Sequence, residues 1–154
     1  MNNIEQLIID KLIEKKYHLS CAESCTGGHI VSSLISISGA SKVINESYVT
    51  YSNESKTKIL GVPKELIDEF GVQSLEVAKS MVIGLKNTTG SNVCISVTGF
   101  TKGNIETPVD GLCYFGIMVN NLIIVDEVQV TGDRNEIREN QKNYILNKLW
   151  EIIK

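Results

Sequence analysis

The chain has 154 residues, with 15 Lys and Arg against 18 Asp and Glu, a formal net charge of -3 and a pI near 5.4. That length suits one domain with a real core, and residues 1–154 are read as a single domain. Lysines scattered among acids exclude a surface built to neutralise nucleic-acid phosphates, and no apolar run approaches the roughly 20 residues that cross a bilayer, so neither nucleic acid nor a membrane is an expected partner and the cytoplasm is the expected compartment.

Ile4, Leu7, Ile8 and Leu12 fall on one face at helical spacing, which predicts an amphipathic helix ending near Lys16. Residues 18–22 lean apolar and predict a short strand; the polar and glycine cluster 23–28 follows as a turn, and 29–37 as a helix. The β-branched and aromatic run at 47–52 predicts a second strand, with a short helix from Asn53. Pro63 opens a helix that Gly71 stops, and Ser74 caps a longer one carrying Val77, Met81 and Leu85. Residues 93–98 predict a buried strand, 99–108 a loop at a site, and 112–119 with 122–130 an antiparallel pair turning at Asn120-Asn121. Asp133 and Glu136 form a capping box ahead of a C-terminal helix through Ile145, Leu149 and Ile152. This order predicts an α/β protein, a three-layer α/β/α sandwich on a mixed, mostly parallel sheet of about five strands.

Cys21, Cys25, Cys94 and Cys113 lack the dense pattern of a disulfide scaffold and are expected to be reduced thiols. With two histidines, His18 and His29, and no C-x-x-C pair, no metal site is predicted. The segment Ala22-Glu23-Ser24-Cys25-Thr26-Gly27-Gly28 sits where a strand feeds a helix, a geometry that suits a nucleophile beside backbone N–H groups. The plainer reading is that Ser24 or Thr26 caps the helix and the glycines permit the turn. In the second cluster, residues 49–56, Tyr51 and Lys56 lie within a turn or two of each other. A lysine of depressed pKa can deprotonate a serine and a tyrosine can relay the proton; alternatively Lys56 is a solvated surface residue and Tyr51 a core-edge one.

The strings AESCTGG and VTYSNESK, then LGVPKELIDEFGVQSLEVA, VTG and TGDRNEIR, resemble in order and spacing the CinA C-terminal domain family, from about residue 5 to the end. The resemblance implies an amidohydrolase that converts nicotinamide mononucleotide to nicotinic acid mononucleotide and ammonia, with Ser24 as nucleophile, Lys56 as its base and Tyr51 as the assisting hydroxyl. It implies Thr26, Gly27, Gly28, Thr98, Gly99 and Arg134 as substrate-binding residues, no metal or organic cofactor, a pyridine nucleotide as the small-molecule partner, a homodimer and a stand-alone form. For Arg134 a surface pair with Glu136 or Glu139 is the other reading, and Cys25, with no histidine adjacent in sequence, is read as packing. One departure stands out: the family's Gly-Pro-Gly-Gly loop is replaced by Phe100-Thr101-Lys102-Gly103-Asn104. Fewer glycines mean fewer backbone N–H groups able to approach an anion closely, although Lys102 supplies a charge that could compensate. The alternative function is a catalytically impaired nucleotide-binding module of the same fold.

Overall fold

The computed structural model describes residues 3–100 and 110–154. Among them the elements run α1 (Ile4–Lys15), β1 (Leu19–Glu23), α2 (His29–Ile35), a 3-10 turn (Ala40–Lys42), β2 (Tyr48–Val49), α3 (Asn53–Leu60), α4 (Lys64–Phe70), α5 (Leu75–Thr89), β3 (Val93–Gly99), β4 (Leu112–Val119), β5 (Leu122–Gln129) and α6 (Arg134–Ile153). The helix starts are chemical. Asn3, Ser52 and Ser74 each accept a backbone N–H with their side chains, and Asp133 and Glu136 form the reciprocal capping box.

The five strands form one mixed sheet in the order β2-β1-β3-β4-β5. Pairing is parallel for β2-β1 and β1-β3 and antiparallel for β3-β4 and β4-β5, so β4 alone among the described strands opposes the common direction. The hairpin turns at Asn120, whose φ of 51° is the left-handed conformation that a tight turn requires.

Alternation along the strands sorts the core into two layers. Leu19 and Cys21 of β1 and Val93, Ile95 and Val97 of β3 face Ile8, Leu12, Ile30, Leu34, Ile145 and Leu149 of α1, α2 and α6. Ala22 and Cys94 face the opposite way, onto Leu60, Val77, Met81 and Leu85 of α3 and α5. The result is the three-layer α/β/α sandwich. No helix among the described residues is long and apolar enough to cross a membrane.

Gly84 is where α5 comes closest to the end of α3: a Cβ there would lie 1.8 Å from the Leu60 carbonyl oxygen. Backbone cannot yield as a side chain tip can. Gly84→Ala is therefore expected to cost about 2–3 kcal/mol, read as a lower midpoint in chemical denaturation.

Candidate active site at the end of β1

β1 ends at Glu23, which pairs with Val49 of β2. The chain then turns through Ser24, 7% exposed, to α2, whose N-cap Gly28 has no side chain to offer the helix. Glu23 does that work from inside the protein. Its carboxylate, fully buried, accepts the Thr26 hydroxyl at 2.6 Å and the Ile30 and Val31 N–H groups at 2.9 and 3.0 Å. A carboxylate on a helix N-terminus is favoured by the orphan donors and by the dipole. The start of α2 is thus already occupied by an anion of the chain's own. Within the turn, the Gly27 N–H donates to the Ser24 carbonyl at 3.0 Å and the His29 N–H to the Thr26 carbonyl at 3.0 Å.

Lys56 reaches this turn from the first half of α3, a helix anchored by Ser52, whose Oγ accepts the Ser55 N–H at 3.1 Å. Its side chain is 1% exposed. Nζ donates to the Thr50 carbonyl at 2.6 Å and to the Tyr51 carbonyl at 3.3 Å, and lies 3.1 Å from Ser24 Oγ. Burial pushes its pKa down from 10.5 to about 8, against a smaller upward pull from the Cys25 sulfur. No carboxylate within ion-pair distance holds it charged among the described residues. The Thr50 hydroxyl, buried beside this cluster, has no hydrogen-bond partner.

The other sequence-predicted residues are placed differently. Tyr51 turns its side chain outward, 68% exposed, and meets Lys56 only through its main-chain carbonyl. Thr98 commits its hydroxyl to the Val72 carbonyl at 3.0 Å, and Gly99 ends β3 against Cys113. Arg134 is the exposed first residue of α6. Lys102, Thr101 and Asn104, with the rest of the loop at 101–109, lie outside the described residues. Cys25 is buried, its thiol pushed up to about 12 by burial and donating to Gln141 Oε1 at 3.6 Å, so it packs as a neutral thiol. All four cysteines are free. Among the described residues no group of three or more His, Cys, Asp or Glu side chains is placed to hold a metal ion.

Three residues enter the site that sequence reasoning passed over. Glu23 had one signal, a lone acid in an otherwise buried strand ahead of a helix with no capping side chain. Gln141 of α6, fully buried, donates to the Phe100 and Gly111 carbonyls at 3.0 and 3.2 Å, tying together the two ends of the β3-β4 connection. Arg138, one turn beyond Arg134, donates from Nη2 to the Thr26 carbonyl at 3.2 Å. It also lines a groove of about 440 Å³ with His29, Asn135, Glu136, Glu139 and Asn140. A second groove, about 490 Å³ between α3 and α4, includes Lys58 and Lys64. Neither groove is lined by Ser24 or Lys56, which sit below the surface.

The family model of the CinA C-terminal domain matches residues 1–153. A CinA-like protein from Kosmotoga olearia is 40% identical over 147 residues, covering 94% of this chain and 35% of its own length. A CinA-like protein from Petrotoga mobilis is 40% identical over 154 residues, covering 98% of this chain and 37% of its own. The chain thus spans a little over a third of the length of these curated relatives. Among solved structures, the competence/damage inducible protein CihA from Agrobacterium tumefaciens superposes with a TM-score of 0.91 at 31% identity, over 100% of this chain and 98% of that one. A CinA superfamily protein from Klebsiella pneumoniae shares the fold, with a TM-score of 0.93 at 22% identity over 97% and 95% of the two chains.

Proposed function

We propose that this chain, which belongs to the CinA C-terminal domain family, is an amidohydrolase that cleaves the carboxamide of nicotinamide mononucleotide with Ser24 as nucleophile and Lys56 as base. The observation that carries this reading is the setting of the Lys56 amine. A neutral amine has two N–H groups and one lone pair; two backbone carbonyls accept the N–H groups, and the remaining direction is that of Ser24 Oγ. The serine hydroxyl then donates to the lone pair, which is the arrangement a general base needs.

In the proposed reaction Ser24 Oγ attacks the carboxamide carbon as its proton passes to Lys56 Nζ. The tetrahedral intermediate collapses, the C–N bond breaks, and the Lys56 proton leaves with the ammonia. Water, deprotonated by the same amine, then attacks the acyl ester and frees Ser24 and the acid. Backbone N–H groups of the turn through Gly28 would face the developing oxyanion, although that of Gly27 is committed to the Ser24 carbonyl. Tyr51 contributes its carbonyl, and Thr98, Gly99 and Arg134 border the substrate.

The loss of glycines after Gly99 favours a second reading, a module that binds the nucleotide without turning it over. Ammonia release separates the two. The wild-type chain with nicotinamide mononucleotide is expected to release ammonia, and Ser24→Ala to reduce that release to background while melting at the same temperature. Thermal stabilisation by the nucleotide with no ammonia from the wild type would favour the binding module.

A further inference from the structure

We propose that Gln141 is a positioning residue for the amidohydrolase: its buried amide locks the neck of the β3-β4 connection to the turn that carries Ser24, and so fixes the wall beside which the carboxamide is cleaved. The role in catalysis rests on the amidohydrolase reading; the lock itself does not.

Gln141 is a fully buried residue of α6. A long polar side chain is seldom buried completely, and one that is must satisfy its amide inside the protein. Every bond that Gln141 makes from its amide leaves its own helix. Nε2 gives one N–H to the Phe100 carbonyl at 3.0 Å and the other to the Gly111 carbonyl at 3.2 Å, while Oε1 accepts the Cys25 thiol at 3.6 Å. The orientation of the amide follows from these partners, because only the NH2 end can meet two carbonyls. One side chain thus joins three separate pieces of chain: the residue after β3, the residue before β4 and the residue after Ser24.

The neck itself is main chain on main chain. The Phe100 N–H donates to the Leu112 carbonyl at 2.7 Å, and the Val130 N–H reaches the same Gly111 carbonyl at 3.1 Å. Side chains have no room there: a Cβ on Gly99 would lie 2.5 Å from Cys113 Cα, and one on Gly111 would lie 1.9 Å from the Val130 carbonyl oxygen. The strand register brings this neck to the nucleophile. Ala22 pairs with Ser96 in the parallel β1-β3 ladder, so Ser24, two residues on, stands level with Thr98, about 5 Å across the sheet. A carboxamide attacked by Ser24 then rests against the end of β3, and the place of that end relative to Ser24 is set by the Gln141 amide. Small displacements of a bound group from its line of attack are costly, about a hundredfold in rate for 1 Å.

The test compares the steady-state kinetics of the full chain with nicotinamide mononucleotide across variants, each assayed well below its melting temperature. Gln141→Met keeps the length of the side chain and removes every bond of the amide. Gln141→Asn keeps an amide, one methylene shorter, which reaches at most one of the two carbonyls, and it carries the test if the methionine variant does not fold. Both are expected to lower kcat/KM at least tenfold without moving the pH of its half-rise, and to speed hydrogen exchange at the Phe100 N–H. Cys25→Ala, which frees the turn and leaves the neck bridged, is expected to lose less. A kcat/KM within twofold of wild type in the Gln141 variants overturns the positioning role. So does a half-rise moved to another pH, which would show that Gln141 acts through Lys56, and so does an equal or larger loss in Cys25→Ala, which would place the effect in the turn. If wild type releases no ammonia, the amidohydrolase falls and calorimetry with the same nucleotide judges the lock. Affinity at least tenfold weaker in Gln141→Met leaves the lock standing; equal affinity, or no binding by wild type, overturns it.

Discussion

Lys56→Met is expected to lower the turnover of nicotinamide mononucleotide about a thousandfold, on the scale of losing a general base, while leaving the fold intact. Two effects on stability oppose each other. Holding the ammonium in this site at neutral pH costs about 3 kcal/mol, from the drop in pKa from 10.5 to about 8. Methionine removes that cost but leaves the Thr50 and Tyr51 carbonyls without their donor, a loss of similar size. The melting temperature at pH 7 should therefore move by only a few degrees.

The pH dependence separates the roles further. Below about 8 the amine is protonated in both the folded and unfolded chains and the cost is present in full. Between about 8 and 10.5 the folded chain has released the proton and the unfolded chain has not, so wild type gains stability over Lys56→Met as pH rises through that window. Activity follows the same proton: about a tenth of the amine is neutral at pH 7, and kcat/KM should climb tenfold per unit before levelling near 8. A flat profile from pH 6 to 9 would show that the base is another group.

Glu23→Ala is expected to destabilise the chain by about 3 kcal/mol or more, a fall of about 10 °C in melting temperature for a chain of this size. Removing the carboxylate orphans three donors at once, the buried Thr26 hydroxyl and Ile30 N–H and the partly buried Val31 N–H. It also takes the negative charge off the start of α2. Glu23→Gln keeps an acceptor for Thr26 and Ile30 but sets an amide NH2 against the Val31 N–H, and should cost about half as much. Activity should fall with both, because the turn that carries Ser24 loses its internal tie. An unchanged melting curve for Glu23→Ala would mean that water or Ser24 replaces the carboxylate.

Much of the fold was legible because its signals are local. Ser52, Ser74 and the Asp133/Glu136 box start helices within three residues of themselves, and Asn120-Asn121 needs only its own dihedral angles to turn a hairpin. β2 was less legible. Its β-branched and aromatic run predicted six residues, yet only Tyr48 and Val49 pair, because the neighbouring β1 stops at Glu23 and strand length is set by the partner. That early end also explains Tyr51, which leaves the sheet before its phenol can turn inward and so offers the site a carbonyl. The Ser24–Lys56 contact was anticipated through the resemblance; its physical support was not, since the orienting groups are two main-chain oxygens that carry no residue-type signature. Arg138 escaped notice for a related reason: its partner, the Thr26 carbonyl, lies 112 residues away in sequence.

The short β1-β2 ladder has one more consequence. Ser24, Lys56 and the carbonyls that hold the Lys56 amine all fall in two pieces of chain, 22–31 and 48–56, joined by the Glu23–Val49 register and by the Thr50 N–H donating to the Glu23 carbonyl at 2.8 Å. Arg138 comes from α6, on a third piece far along the chain. The proposed chemistry is thus encoded in one short stretch of chain, and a lineage could vary its last helix by drift while inheriting that stretch unaltered.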